Sequence, residues 1–97
     1  MSTYKITKYS YAKASNHGVT IKPSTNPKKK IDVYNKAGQK IASIGAVGYL
    51  DYPNYIKKIG RAEAMKKRKA YLARHAHDPK IKDGKKTNSF WADVILW

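Results

Sequence analysis

Twenty-one lysines and arginines stand against six aspartates and glutamates in a chain of 97 residues, for a formal charge of +15 at pH 7. Most of that excess cannot go inside, because a buried charge needs an opposite partner and the acids are few. Any fold must therefore close a small apolar centre and spread its lysines outside, where like charges repel. A balance this far from zero is most simply explained by a negative partner, whether nucleic acid, an acidic protein surface or anionic lipid. Catalysis does not need it.

Material for a centre is present. The chain is 41% hydrophobic, with eight Tyr, two Trp and one Phe, which is more than a disordered basic tail carries. One domain is expected, burying about two thirds of its unfolded surface. The absence of cysteine excludes a disulfide framework and a thiolate zinc site, and fits a reducing compartment. No apolar run approaches the roughly 18 residues of a membrane span. The N-terminus carries no signal-peptide apolar stretch, so a soluble protein, intracellular at synthesis, is expected. The cations comprise 18 lysines and only 3 arginines. Lysine meets phosphate or carboxylate as a point charge, whereas arginine is the usual bidentate reader of guanine. Any nucleic-acid binding should be sequence-tolerant.

Along the chain, Tyr4–Tyr9 alternates apolar and polar residues and predicts a short strand. Asn16-His17-Gly18 predicts a turn, Val19-Thr20-Ile21 a second strand, and Pro23 to Lys30 a loop. Ile31–Tyr34 and Lys40–Ile44 flank Asn35–Gln39 and predict a β-hairpin, with Gly38 placed for positive φ. Asp51 is the expected N-cap of a short helix ending near Ile59, with Pro53 in its first turn and Gly60 as the break. The main helix is expected over residues 61–76, stopped by Asp78-Pro79. Residues 80–86 read as a basic loop with a turn at Asp83-Gly84. A terminal helix over 90–97 follows, capped by Asn88 or Ser89. The class is α+β: a small antiparallel sheet followed by two or three helices in a single domain. Residues 1–29 read as an N-terminal extension with short strands, and 30–97 as the compact unit.

On a helical wheel of about 100° per residue, Ala64, Met65, Tyr71 and Leu72 share one arc of the main helix, together with Arg61, Arg68 and His75. Arg68 with His75 has the look of an active-site pair, but an inward arginine normally joins a carboxylate. Asp51 is the first expected partner of Arg68 and Asp93 the second. The opposite arc carries Lys66, Lys67 and Arg74, expected as a phosphate-binding face in preference to a merely solvated one. Lys28, Lys29, Lys30, Lys57, Lys58, Lys80, Lys82, Lys85 and Lys86 are the further candidate polyanion contacts.

No catalytic set can be assembled: there is no Ser/His/Asp grouping, no paired carboxylates and no P-loop. His75-Ala76-His77 does not make a metal site, since residues two apart do not share a helix face. No metal, cofactor or small-molecule substrate is expected. Gly45-x-x-Gly48 has an Ala-Val interior and follows a strand, so it suits a sharp turn rather than a nucleic-acid clamp. Phe90–Trp97 is apolar on nearly every side. It should pack on the hairpin through one side and leave part of Trp91, Leu96 or Trp97 for docking on a partner.

The order of these blocks carries a resemblance. The hairpin runs into Ile44-Gly45-Ala46-Val47-Gly48-Tyr49-Leu50-Asp51-Tyr52, the basic helix ends in Arg68-Lys69-Ala70-Tyr71-Leu72-Ala73-Arg74-His75, and the chain closes in Ser89-Phe90-Trp91-Ala92-Asp93-Val94-Ile95-Leu96-Trp97. Residues 30–97 thereby resemble a family of small basic proteins encoded by large nucleocytoplasmic DNA viruses, including viruses of algae and amoebae. Residues 78–87 depart from the family pattern and the first 29 lie outside it. The family supplies no catalytic residues to carry over. The resemblance implies a viral protein, and so a component of the virion or a DNA-associated factor. The expectation is a non-enzymatic minor structural protein on the inner capsid side, with capsid proteins and packaged DNA as partners. The alternative is a sequence-tolerant DNA-binding protein outside the shell.

Overall fold

The alternation of Ile31, Val33, Ala42 and Ile44 builds the centre of the molecule. In the computed structural model, which describes residues 4–97, these side chains lie in the core beneath the C-terminal helix. Strands β1 (Thr20–Pro23), β2 (Lys29–Tyr34) and β3 (Lys40–Ala46) form an antiparallel sheet in the order β1-β2-β3. Ile21 pairs with Val33, and Ile31 with Ile44. Asn35 closes the β2–β3 turn: its side-chain oxygen accepts from the main-chain N–H of Ala37 and Gln39, and Gly38 takes φ +81°. The α+β architecture is as the sequence predicts.

The sheet begins earlier than expected. Lys29 and Lys30 are strand residues rather than loop, and β1 pairs with β2, so a boundary at residue 29 cuts through the sheet. The segment Tyr4–Tyr9 is not a strand. Helix α1 (Lys8–Asn16) starts inside it, because the Thr7 side chain accepts from Ser10 N and caps the first turn. Tyr4 and Ile6 do lean on the core from the preceding extended stretch, which is why their spacing imitates a strand. The face of α1 carrying Ser10 and Ala14 is buried, and Ser10 Oγ donates to Ile95 O at 3.0 Å. Residues 4–29 are therefore part of the same globule, while residues 1–3 lie outside the described residues.

Helices α2 (Tyr52–Ile59) and α3 (Arg61–Arg74) pack on each other, separated by Gly60. Asp51 caps α2 by accepting from Asn54 N, with Pro53 in the first turn. Residues 80–86 form a two-stranded ladder, β4 (Ile81–Lys82) and β5 (Lys85–Lys86), rather than a plain loop. Its turn has Asp83 at φ +53° and Gly84 at +76°, the positive pair that suits a tight hairpin. Thr87, not Asn88 or Ser89, caps the last helix, α4 (Asn88–Ile95), by accepting from Phe90 N. That helix packs on β3 and α1.

Because β2 is central, residues on both of its sides are buried. Ile31 and Val33 point to the core side and Asp32 to the other. Asp32 accepts from Ser24 Oγ and Ser43 Oγ, both at 2.7 Å, and from Thr25 N at 3.1 Å. Burial alone would raise its pKa, but these hydrogen bonds and the nearby Lys40 outweigh it and hold the carboxyl below its ordinary range. The folded carboxyl then holds its proton less tightly than the unfolded one. Its stabilisation is complete above the ordinary aspartate value of about 3.9 and fades as pH falls through the lower folded value. Asp32→Asn is expected to cost about 2 kcal/mol or more at neutral pH, because the buried donors lose acceptors. It should also flatten the acid dependence. Urea unfolding at neutral and acid pH checks both.

Candidate polyanion interface

The six acids decide which lysines remain for a partner. Asp51 Oδ2 accepts from Lys30 Nζ at 3.1 Å, and both side chains are almost fully buried. The same carboxylate accepts from Tyr4 Oη at 2.5 Å and from the side-chain amide of Asn54 at 2.8 Å. Lys30 Nζ also donates to Tyr49 O and lies 5.1 Å from the Tyr4 ring centroid. Burial and the hydrogen bond to Asp51 push the Tyr4 phenol well up, so it stays a neutral donor. The remaining acids follow: Asp32 with Lys40 at 3.8 Å, Glu63 with Lys66 at 3.1 Å, Asp78 with His75 at 2.6 Å and Asp93 with Lys80 at 2.7 Å. Asp83 forms no ion pair among the described residues.

Three expectations are corrected by these pairings. The expected Arg68–Asp51 pair does not form, since Asp51 already holds Lys30 and Asp93 holds Lys80. Arg68 does lie half-buried toward the interior, but its Nε donates to the main-chain oxygen of Trp97 at 2.6 Å and its guanidinium rests over Tyr52. Lys30 is not a polyanion contact, because it sits inside with a carboxylate of its own. Lys80 is also engaged: besides Asp93 it donates to Ser89 Oγ at 2.7 Å and His75 O at 3.0 Å.

The other candidate cations face outward. Lys28, Lys57, Lys58, Lys66, Lys67, Arg74, Lys82, Lys85 and Lys86 are exposed, and Lys29 is half-buried. Lys66 with Glu63 is a surface pair of the kind that contributes little. Lys67 Nζ lies 5.9 Å from the Tyr55 centroid, while Lys86 Nζ covers Phe90 at 4.9 Å and Trp91 at 5.4 Å. Lys86 thus shields the core rim with its stem and keeps its charge in water.

The fold gathers some of these lysines. A cleft of about 720 Å³ between the β2–β3 turn and the β4–β5 hairpin is lined by Lys40, Lys85 and Lys86 with the amides of Asn35 and Gln39. A second, of about 460 Å³, lies between the N-terminal segment and α2 and brings Lys5 and Lys8 to Lys57. Lys5, Lys8 and Lys40 stand alone in the sequence between uncharged neighbours. Only tertiary structure adds them to a cluster. A third cleft, of about 390 Å³, lies under the β3–α2 connection, with Tyr49, Tyr55, Tyr71 and Arg74 among its walls. Burial, then the charges of Asp93 and Asp78, push the Tyr71 phenol up to about 12.

The apolar end of the chain is not a docking surface. Trp91, Leu96 and Trp97 are 4%, 1% and 7% exposed within this single chain. Trp97 stacks on Tyr71 with centroids 4.2 Å apart and planes within 9°, and Leu96 O accepts from Tyr52 N. The apolar terminal segment is covered here by α1 and the sheet along α4, and by Tyr52, Arg68 and Tyr71 of α2 and α3 at Leu96 and Trp97. The expectation overlooked α1, which covers the side left open in a fold of sheet and two helices. Comparison with models of known protein families, with curated proteins and with solved structures finds no match for this chain.

Proposed function

We propose that this is a non-enzymatic protein of a large DNA virus particle that binds packaged DNA or acidic capsid surfaces through its lysines. The viral setting rests on the resemblance of residues 30–97. The binding chemistry rests on one observation: among the described residues five of the six acids are paired within the fold, while most lysines stand exposed without a carboxylate partner. A specific observation also favours the second reading, a sequence-tolerant DNA-binding protein outside the shell. The chain covers its own tryptophans, so it needs no capsid neighbour to bury them. Proteomics of purified particles stripped of DNA separates the two, since a shell component stays with the capsid.

Both readings share an electrostatic test. If the lysines neutralise about six phosphates, affinity for duplex DNA should fall about a thousandfold between roughly 50 and 200 mM salt. Scrambling the DNA sequence should change little, because 18 of the 21 cations are lysines rather than the arginines that usually read base edges. Replacing Lys85 and Lys86 with Glu should lower the slope. Strong preference for one short site that survives high salt would overturn this reading.

A further inference from the structure

Tyr49 is 75% exposed, the most exposed of the large hydrophobic residues described. Its backbone is nonetheless held on both sides. Val47 N donates to Lys28 O at 3.1 Å, Lys30 Nζ donates to Tyr49 O, and Asp51 two residues on is fixed as a helix cap. Gly45 lets the strand turn into this loop: φ is +77°, and a Cβ would meet Leu96 Cδ1 and Lys30 Cδ, each at 2.9 Å. A rigid base thus presents a ring that has no aromatic or hydrogen-bonding partner among the described residues.

Tyr49 lines two clefts of about 390 Å³ each. Arg74 lines the first and Lys5 the second, and neither forms an ion pair among the described residues. Other rings nearby are already used, for Tyr71 lies between Trp97 at 4.2 Å and His75 at 4.3 Å. The buried Lys30 and Asp51 satisfy each other. The surroundings therefore offer one exposed ring and two flanking cations, while among the described residues the unsatisfied buried side-chain atom, Asp93 Oδ1, lines neither cleft and cannot read a base edge there. A planar group linked to negative charges on both sides fits that arrangement, and a base paired in a duplex cannot present its face.

We propose that Tyr49 stacks an unpaired base of single-stranded nucleic acid, with Arg74 and Lys5 on the neighbouring phosphates. This deepens the polyanion reading and rests on it. Fluorescence anisotropy with a labelled oligonucleotide, single-stranded and annealed to its complement, tests it. Tyr49→Ala should weaken single-strand binding about tenfold, as loss of one stacked base does. Duplex binding should be unchanged and Tyr49→Phe should bind as wild type does. A melting curve confirms that each variant is folded. If Tyr49→Ala leaves single-strand affinity unchanged, or lowers both affinities equally, stacking is refuted while polyanion binding stands. If the wild type binds neither form, both readings fail.

Discussion

Replacing Leu96 and Trp97 together with alanine is expected to leave a chain that no longer unfolds cooperatively. Leu96 is 1% exposed, and its Cδ1 packs so close to Gly45 that a Cβ there would stand 2.9 Å away. Truncating such a leucine costs about 2–5 kcal/mol and a buried tryptophan about 3–5. Trp97 adds its stack on Tyr71 and a tilted contact with Tyr55 at 6.0 Å. Adjacent sites do not add simply, yet even a partial sum approaches the whole stability of a small domain, about 5–15 kcal/mol. Circular dichroism during heating and urea titration should show a broad, non-cooperative loss of structure. Tyr11→Ala, on a side chain that is half exposed, should melt like the wild type. A double variant that kept a sharp native transition would mean that the terminus is peripheral to the core.

The same residues show where sequence reasoning reaches and where it stops. The β2–β3 hairpin, the Asp51 cap, the Gly60 break and the outward face of Lys66, Lys67 and Arg74 were legible, because each rests on local chemistry or a short period. The N-terminal helix was not. Tyr4 and Ile6 alternate like a strand, whereas Thr7 as a cap becomes visible only when Ser10 is read as the third helical residue. Lys30 was hidden for another reason. It closes a run of three lysines, the usual mark of a solvated loop, yet strand pairing turns it inward beneath Tyr49 and above Leu96. The cluster of Lys5, Lys8 and Lys57 joins residues about fifty positions apart, a distance that no local pattern spans. Trp91 and Trp97 looked available to a partner only while α1 was missing from the picture.

Lys30→Ala should destabilise the fold by about 3–5 kcal/mol, the cost of leaving a buried ion-pair partner uncompensated. Asp51 would keep its bonds from Tyr4 and Asn54 but would hold its charge in the interior without a cation. Lys30→Met, which preserves the stem packed beside Gly45, should be less costly combined with Asp51→Asn than beside the native Asp51. Asparagine still caps α2 and removes the stranded charge. Arg68→Ala should cost less, about 1.5–3 kcal/mol, since it removes a charge-assisted hydrogen bond to a main-chain oxygen rather than one half of a buried pair. Urea denaturation of the variants measures all of these. Lys30→Ala unfolding at the same midpoint as the exposed-site control Lys57→Ala would refute the buried pair. DNA binding supplies the complementary check. Under conditions where Lys30→Ala remains folded, its affinity should fall no further than that of Lys57→Ala, because Lys30 is committed to Asp51 and is shielded from any phosphate.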